Sequence, residues 1–178
     1  MRILCSAVIC ALLGGLLSSC MPKDERALPT DCPSTLDVPG IGAFAYDGIG
    51  VDYRHYIRRV DVGGAEPALV VTYVHTSQRG YAAGYSPYIR RVLERVVPGH
   101  KQMLRDARAQ VLQLLDSYGL EQPKDYEELV SALHLSHIKP FLDGTCELIF
   151  ATCPWFPNFD LNASLDSQLA IQRVWFGG

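Results

Sequence analysis

No run of apolar residues in this chain is long enough to cross a bilayer. The longest, from Ile3 to Leu17, holds about 15 residues, against the roughly 17 to 25 that a spanning helix needs. Basic charge is not in excess either: 16 Lys and Arg stand against 19 Asp and Glu. That balance argues against a nucleic-acid partner, because phosphate binding rests on clustered cations. No Cys-x-x-Cys pair occurs, so the usual spacing of a structural zinc site is missing. No serine sits in a Gly-x-Ser-x-Gly elbow; Ser86, in Gly84-Tyr85-Ser86-Pro87-Tyr88, lacks the second glycine and reads as a helix cap followed by a first-turn proline. No internal repeat is present, which excludes a solenoid.

What the N-terminus does contain is an export signal. Met1-Arg2 supplies the charge, Ile3 to Leu17 the apolar core, and small residues the cleavable end. The junction Leu17-Ser18-Ser19-Cys20 resembles the lipobox of bacterial lipoproteins. The resemblance implies removal of residues 1–19 and attachment of a thioether-linked diacylglycerol and an acyl amide to Cys20. Each buried methylene of those chains contributes about 0.8 kcal/mol, and several chains together give a firm anchor. Met21, in place of an aspartate after the lipidated residue, implies by the same resemblance an outer-membrane anchor on the periplasmic side.

Removing 19 of the 178 residues leaves 159, the size of one domain, and losing Arg2 makes the mature balance 15 basic against 19 acidic residues. Cys5 and Cys10 leave with the signal and Cys20 is acylated, so Cys32, Cys146 and Cys153 remain in an oxidising compartment. Three thiols form at most one internal bridge. Cys146 with Cys153 closes a short loop, whereas Cys32 with either one staples the N-terminal segment to the C-terminal half; sequence does not choose. Residues 20–40 contain Pro22, Pro29, Pro33 and Pro39 among charged and small residues. They read as a tether reaching about 60 Å and dispensable for folding, which leaves 41–178 as the globular domain.

Within that domain, Ala43 to Val74 reads as strands, partly alternating over Val51 to Ile57 and β-branched and apolar from Ala68 to Val74, and the turn at Gly63-Gly64 points to a hairpin. A helix is expected from Pro87 to Val97, broken near Pro98-Gly99 and resuming to Tyr118, with Gly119 as terminator. Asp125-Tyr126-Glu127-Glu128 has the form of a capping box and starts a short helix with Leu129, Val130 and Leu133 inside. Asp143-Gly144 marks a hairpin; Phe159, Leu161, Ala163 and Leu165 alternate with polar residues, and Ala170 to Phe176 pairs back. The expectation is an α+β domain: an antiparallel sheet in two sequence blocks, with the central helices packed on one face.

Chemistry is sparse. Gly40-Ile41-Gly42-Ala43-Phe44-Ala45 fits a dinucleotide pattern, but Pro39 before it and Tyr46-Asp47-Gly48 after it deny the strand-to-helix context that pattern needs. His134 and His137 could share a helical face for a metal; with no third ligand marked, a helix C-terminal or surface role is favoured. His55, His75 and His100 stand alone. The expectation is a protein without catalytic residues, cofactor or metal, and not an enzyme. Tyr81, Tyr85, Arg90 and Arg91, with Tyr88 and Arg95 beside them, are either a solvated helix face or a protein-binding patch of the residue types enriched at interface hot spots. Trp155-Phe156-Pro157 is either a buried corner or an exposed contact.

From Val92 to Phe176, a long helix, a short capped helix and a meander ending in a glycine-bounded strand resemble the architecture of small α+β immunity proteins of bacterial toxin systems. That resemblance implies a toxin as partner and carries no functional residues with it. The alternative is an accessory lipoprotein, a pilotin or scaffold, of a secretion or envelope-assembly system.

Overall fold

Among the described residues, four strands, three helices and four strands follow one another: β1 (Thr35–Val38), β2 (Gly42–Ile49), β3 (Tyr53–Val60), β4 (Ala68–His75), α1 (Tyr85–Asp106), α2 (Arg108–Ser117), α3 (Tyr126–Ala132), β5 (His134–Pro140), β6 (Cys146–Ala151), β7 (Asp160–Leu165) and β8 (Ile171–Gly177). The computed structural model describes residues 34–49, 53–63, 66–75, 85–151 and 153–177. The segment read as an export signal, Cys20, Cys32 and Tyr81 lie outside the described residues.

All eight strands join one sheet in sequence order, so the α+β class holds while the wholly antiparallel sheet does not. β4 and β5 run parallel, in register over Leu69↔His137 and Val70↔Ile138; every other neighbouring pair is antiparallel. The reason is the connection. A parallel pair needs a crossover that returns the chain to the end where the first strand began, and the three helices between β4 and β5 make that return.

Pairing fixes which side chains share a face. Val70, Ile138, Leu148, Ala163 and Val174 stand opposite one another across β4 to β8, and all are buried in one cluster with Ile89, Val96, Leu104, Val111 and Leu129 of the helices. The helices therefore pack on this face. The neighbouring row, Arg59, Leu69, His137, Ile149, Asn162 and Trp175, belongs to the other face, since adjacent strand residues point to opposite sides.

α1 continues through Pro98 to Asp106, where a break was expected. Ile89, Val92, Val96, His100 and Leu104 are buried at the spacing of one helical face. Pro98 is exposed, so the carbonyl it leaves unpaired one turn earlier faces water, and burial on both sides keeps the helix intact. The interruption comes instead at Ala107 (φ −86°, ψ 9°). Gly119, at φ +64°, ends α2 as expected, with Leu120 N donating to Leu115 O at 3.0 Å. Asp125 caps α3 by accepting from Glu127 N at 3.0 Å. At the other end of α3, Lys101 Nζ donates to Val130 O at 2.6 Å and also to Leu133 O, so a cation of α1 satisfies carbonyls that the helix leaves open. Phe156 is fully buried, and its ring lies 4.9 Å from that of Phe176, which also meets Phe159 and Tyr118. The Trp155-Phe156-Pro157 corner thus places Phe156 in the core and fastens α2 to β8.

The stretch read as tether contains a strand. β1 pairs with β2, and Val38 has no exposed surface, so the folded unit reaches back at least to Thr35. Composition dominated by proline concealed four residues that bury one apolar face. A chain beginning at Gly40 is therefore expected to melt several degrees below one beginning at Pro33, because fully burying a valine-sized side chain contributes about 1.5 to 3 kcal/mol; superimposable melting curves would show that β1 adds nothing to the core.

Candidate functional site

The turn between β1 and β2 is where the Gly40-x-Gly42 motif lies. It leads into strand β2 and not into a helix. Gly40 (φ +75°) and Gly42 (φ +110°) make the turn, and a Cβ on either glycine would collide with a guanidinium, that of Arg90 at Gly40 and that of Arg58 at Gly42. The glycines are there for left-handed backbone and for the close approach of two arginines. Arg90 Nη2 donates to Pro39 O at 3.3 Å, and Arg58 Nη1 donates to Ile41 O.

On the other flank of α1, Arg91 Nη2 donates to Ser167 O and Arg95 Nη1 to Gln168 O, each at 3.0 Å, in the turn between β7 and β8. Tyr88 Oη donates to Thr145 O at 2.7 Å, in the β5–β6 loop, and Arg91 lies over the Tyr88 ring at 5.5 Å. Consecutive residues of one helix therefore hold turns from opposite edges of the sheet. Laid flat, those turns would be six strand spacings apart, about 29 Å, and at opposite ends of their strands. That exceeds what two arginine side chains on one helix can bridge, so the sheet curls around α1.

Between the β1–β2 turn and the first turns of α1 lies a cavity of about 580 Å³ bordered by Asp37, Pro39, Ser86, Pro87, Arg90, Arg91 and Glu94. It adjoins a second, of about 470 Å³, bordered by Arg58, Arg90, Leu93 and Glu94. Arg90, Arg91 and Arg95 are exposed. Each of the four arginines has five N–H donors and spends one on a backbone carbonyl. Among the described residues none of the four has a carboxylate within 4.0 Å; the ion pairs are Arg105–Glu127 and Lys139–Glu147. Of the sequence candidates, Arg90 and Arg91 come together here. Tyr85 is the first residue of α1, its side chain outside the description, and Tyr81 lies outside the described residues. Arg58 escaped sequence reading, although its position between Tyr56 and Val60, on the helix-facing side of β3, is a usable signal: an arginine in an apolar row needs a polar partner.

The histidines are placed differently from expectation. α3 ends at Ala132, and His134 and His137 belong to β5, so they cap no helix. They border a cavity of about 440 Å³ with Arg59, Glu66, Leu69 and Ser136. Burial holds His137 below the ordinary imidazole value; Lys139 adds repulsion and Asp160 partly offsets it. His55 stacks edge-on against Tyr73 at 5.0 Å. His100 is 6% exposed, with Nδ1 2.9 Å from Val97 O.

The two described thiols form no bridge. Cys146 and Cys153 are both free and buried, and β6 runs as an extended strand from Cys146 to Ala151, which separates them by its length and rules out the short-loop pairing. Burial pushes the Cys146 thiol up to about 12, so it is unreactive. No family model matches the chain, and no match is found among curated proteins or solved structures.

Burial of His100 sets a pH dependence. Its folded-state pKa lies below the ordinary 6.5, chiefly through desolvation, so the unfolded chain binds the proton more readily. The stability His100 confers is complete above about pH 6.5 and declines as pH falls toward the folded value, by up to about 1.4 kcal/mol per pH unit. Melting temperatures measured from pH 7.5 down to 5 are expected to fall less steeply in His100→Phe; identical slopes would assign the acid sensitivity to other groups.

Proposed function

We propose that this chain is an exported lipoprotein, anchored through Cys20 at the periplasmic face of the outer membrane, whose domain binds a protein partner, and that the partner is an antibacterial toxin that the chain neutralises. The observation that carries the binding role is the arginine-lined groove along the first turns of α1. Among the described residues, the guanidinium groups of Arg58, Arg90 and Arg91, which border it, and of Arg95, a turn further along α1, each have a carbonyl contact and no carboxylate within 4.0 Å, which leaves several donors each for an acidic surface. Such a surface offers charge complementarity and a fast encounter, and Tyr88 under Arg91 adds aromatic area of the kind found at hot spots. In sequence, Tyr81 precedes α1 and Tyr85 is its first residue. No helix among the described residues is long and apolar enough to cross a membrane, and the proposed attachment rests on the lipobox alone. The role is binding, not catalysis.

Since Arg90 and Arg91 also hold turns, truncation to alanine would mix two effects. Gln removes the charge and keeps a polar amide, but that amide ends where the arginine Nε lies, short of Pro39 O and Ser167 O, so the melting temperature is read beside the rescue. Deleting the gene is expected to make cells sensitive to killing by their siblings. The wild-type chain restores resistance, and Arg90→Gln with Arg91→Gln restores far less of it while still melting cooperatively. A deletion strain that resists its siblings sinks the toxin reading, and full rescue by the double variant removes the groove from the interface.

A further inference from the structure

Residues three apart on a regular strand face opposite sides of a sheet. β5 is not regular. Its register against β6 shifts between Leu135 and His137, so that His134 stands opposite Ala151 and His137 opposite Ile149. Ala151 and Ile149 are two residues apart on β6 and share a face; the histidines therefore share it as well, about 7 Å apart along the strand. Ser136 is the extra residue of this bulge, a device that re-aims side chains.

The same serine orients the second ring. Ser136 Oγ donates to Ile149 O at 2.9 Å, and a carbonyl only accepts, so the hydroxyl proton is committed there. His137 Nδ1, 3.0 Å from that Oγ, must then be the donor in the second contact. His137 is thus held as the Nδ1–H tautomer, with the lone pair on Nε2 and no hydrogen-bond partner for it among the described residues. Histidines that ligate metals are oriented in this way, the outer nitrogen hydrogen-bonded and the inner one presented to the ion. His134 is exposed and free to turn toward it.

We propose that His134 and His137 form a two-imidazole site for a divalent transition-metal ion, cupric ion being held most tightly and water completing the coordination. Two rings on one strand face can converge on the roughly 2.0 to 2.1 Å that metal–nitrogen bonds require, and imidazole ligands favour copper over zinc in the usual affinity order. No group of three or more His, Cys, Asp or Glu side chains is placed to hold a metal among the described residues, so the site is an open one and its affinity modest. The inference is independent of the partner-binding role.

The test titrates the full mature chain with copper(II) chloride and, separately, zinc chloride. One equivalent of Cu²⁺ is expected to give an electron paramagnetic resonance spectrum split by two imidazole nitrogens, and Zn²⁺ to bind more weakly and be displaced by Cu²⁺. His134→Ala with His137→Ala abolishes the two-nitrogen species, and Ser136→Ala, which releases the His137 ring, weakens Cu²⁺ binding by about 10- to 100-fold. Absence of a two-nitrogen species, or its survival in the double variant through His55, His75 or His100, overturns the site. Unchanged affinity in Ser136→Ala overturns the orienting role. If the double variant fails to fold, His134→Ala at its exposed position still decides the matter, because one nitrogen must vanish from the spectrum.

Discussion

The fold depends on β4 and β5 lying parallel. An antiparallel neighbour is reached by a short turn, but a parallel one requires a crossover, and here α1, α2 and α3 are that crossover. Once the chain is committed to it, the helices must cover one face of the sheet, and their apolar stripe must match the row running from Val70 through Ile138, Leu148 and Ala163 to Val174. The seam itself is in register over only two residue pairs. Its two four-stranded halves are joined as well by the apolar cluster they share with the helices and by the reach of α1 to either edge of the sheet.

That reach is made by charge. Arg90 on one flank and Arg91 with Arg95 on the other bond to turn carbonyls at opposite edges of the sheet. Hydrogen bonds from a charged group contribute about 1.5 to 3 kcal/mol when buried and less at these exposed positions. Their structural effect is to set where the turns sit. The same geometry leaves the guanidinium groups of Arg90, Arg91 and Arg95 at the surface with donors to spare, so one set of residues shapes the domain and presents an arginine-lined groove. Positive charge in the first turns of a helix opposes its dipole; carbonyl contacts on both flanks offset that penalty.

Local signals were legible in the sequence. Gly119, Asp125 and the Asp143-Gly144 hairpin fall where turn and cap chemistry placed them, and the alternation at Leu161, Ala163 and Leu165 marks the buried face of β7. What escaped was set by distant partners. Pro98 reads as a helix breaker until its exposure and the burial of Val96 and His100 are known. Thr35 to Val38 reads as linker until Phe44 is seen opposite Leu36. The direction of β5 relative to β4 has no local code at all, and the shared face of His134 and His137 needs a bulge that spacing alone assigns to a helix. Of the candidate site, the arginines were legible as residue types. Their tasks were not, because carbonyls at residues 39 and 167 lie far away in sequence.

The central claim is that the sheet curls around α1 so that the β1–β2 and β7–β8 turns flank one helix. Spin labels placed on the exposed positions Ala43 and Gln168 report that distance directly by double electron–electron resonance. A curled sheet gives a distribution centred below about 25 Å, whereas a flat eight-stranded sheet holds these corners roughly 35 Å apart along its diagonal, and a distribution centred there would contradict the account.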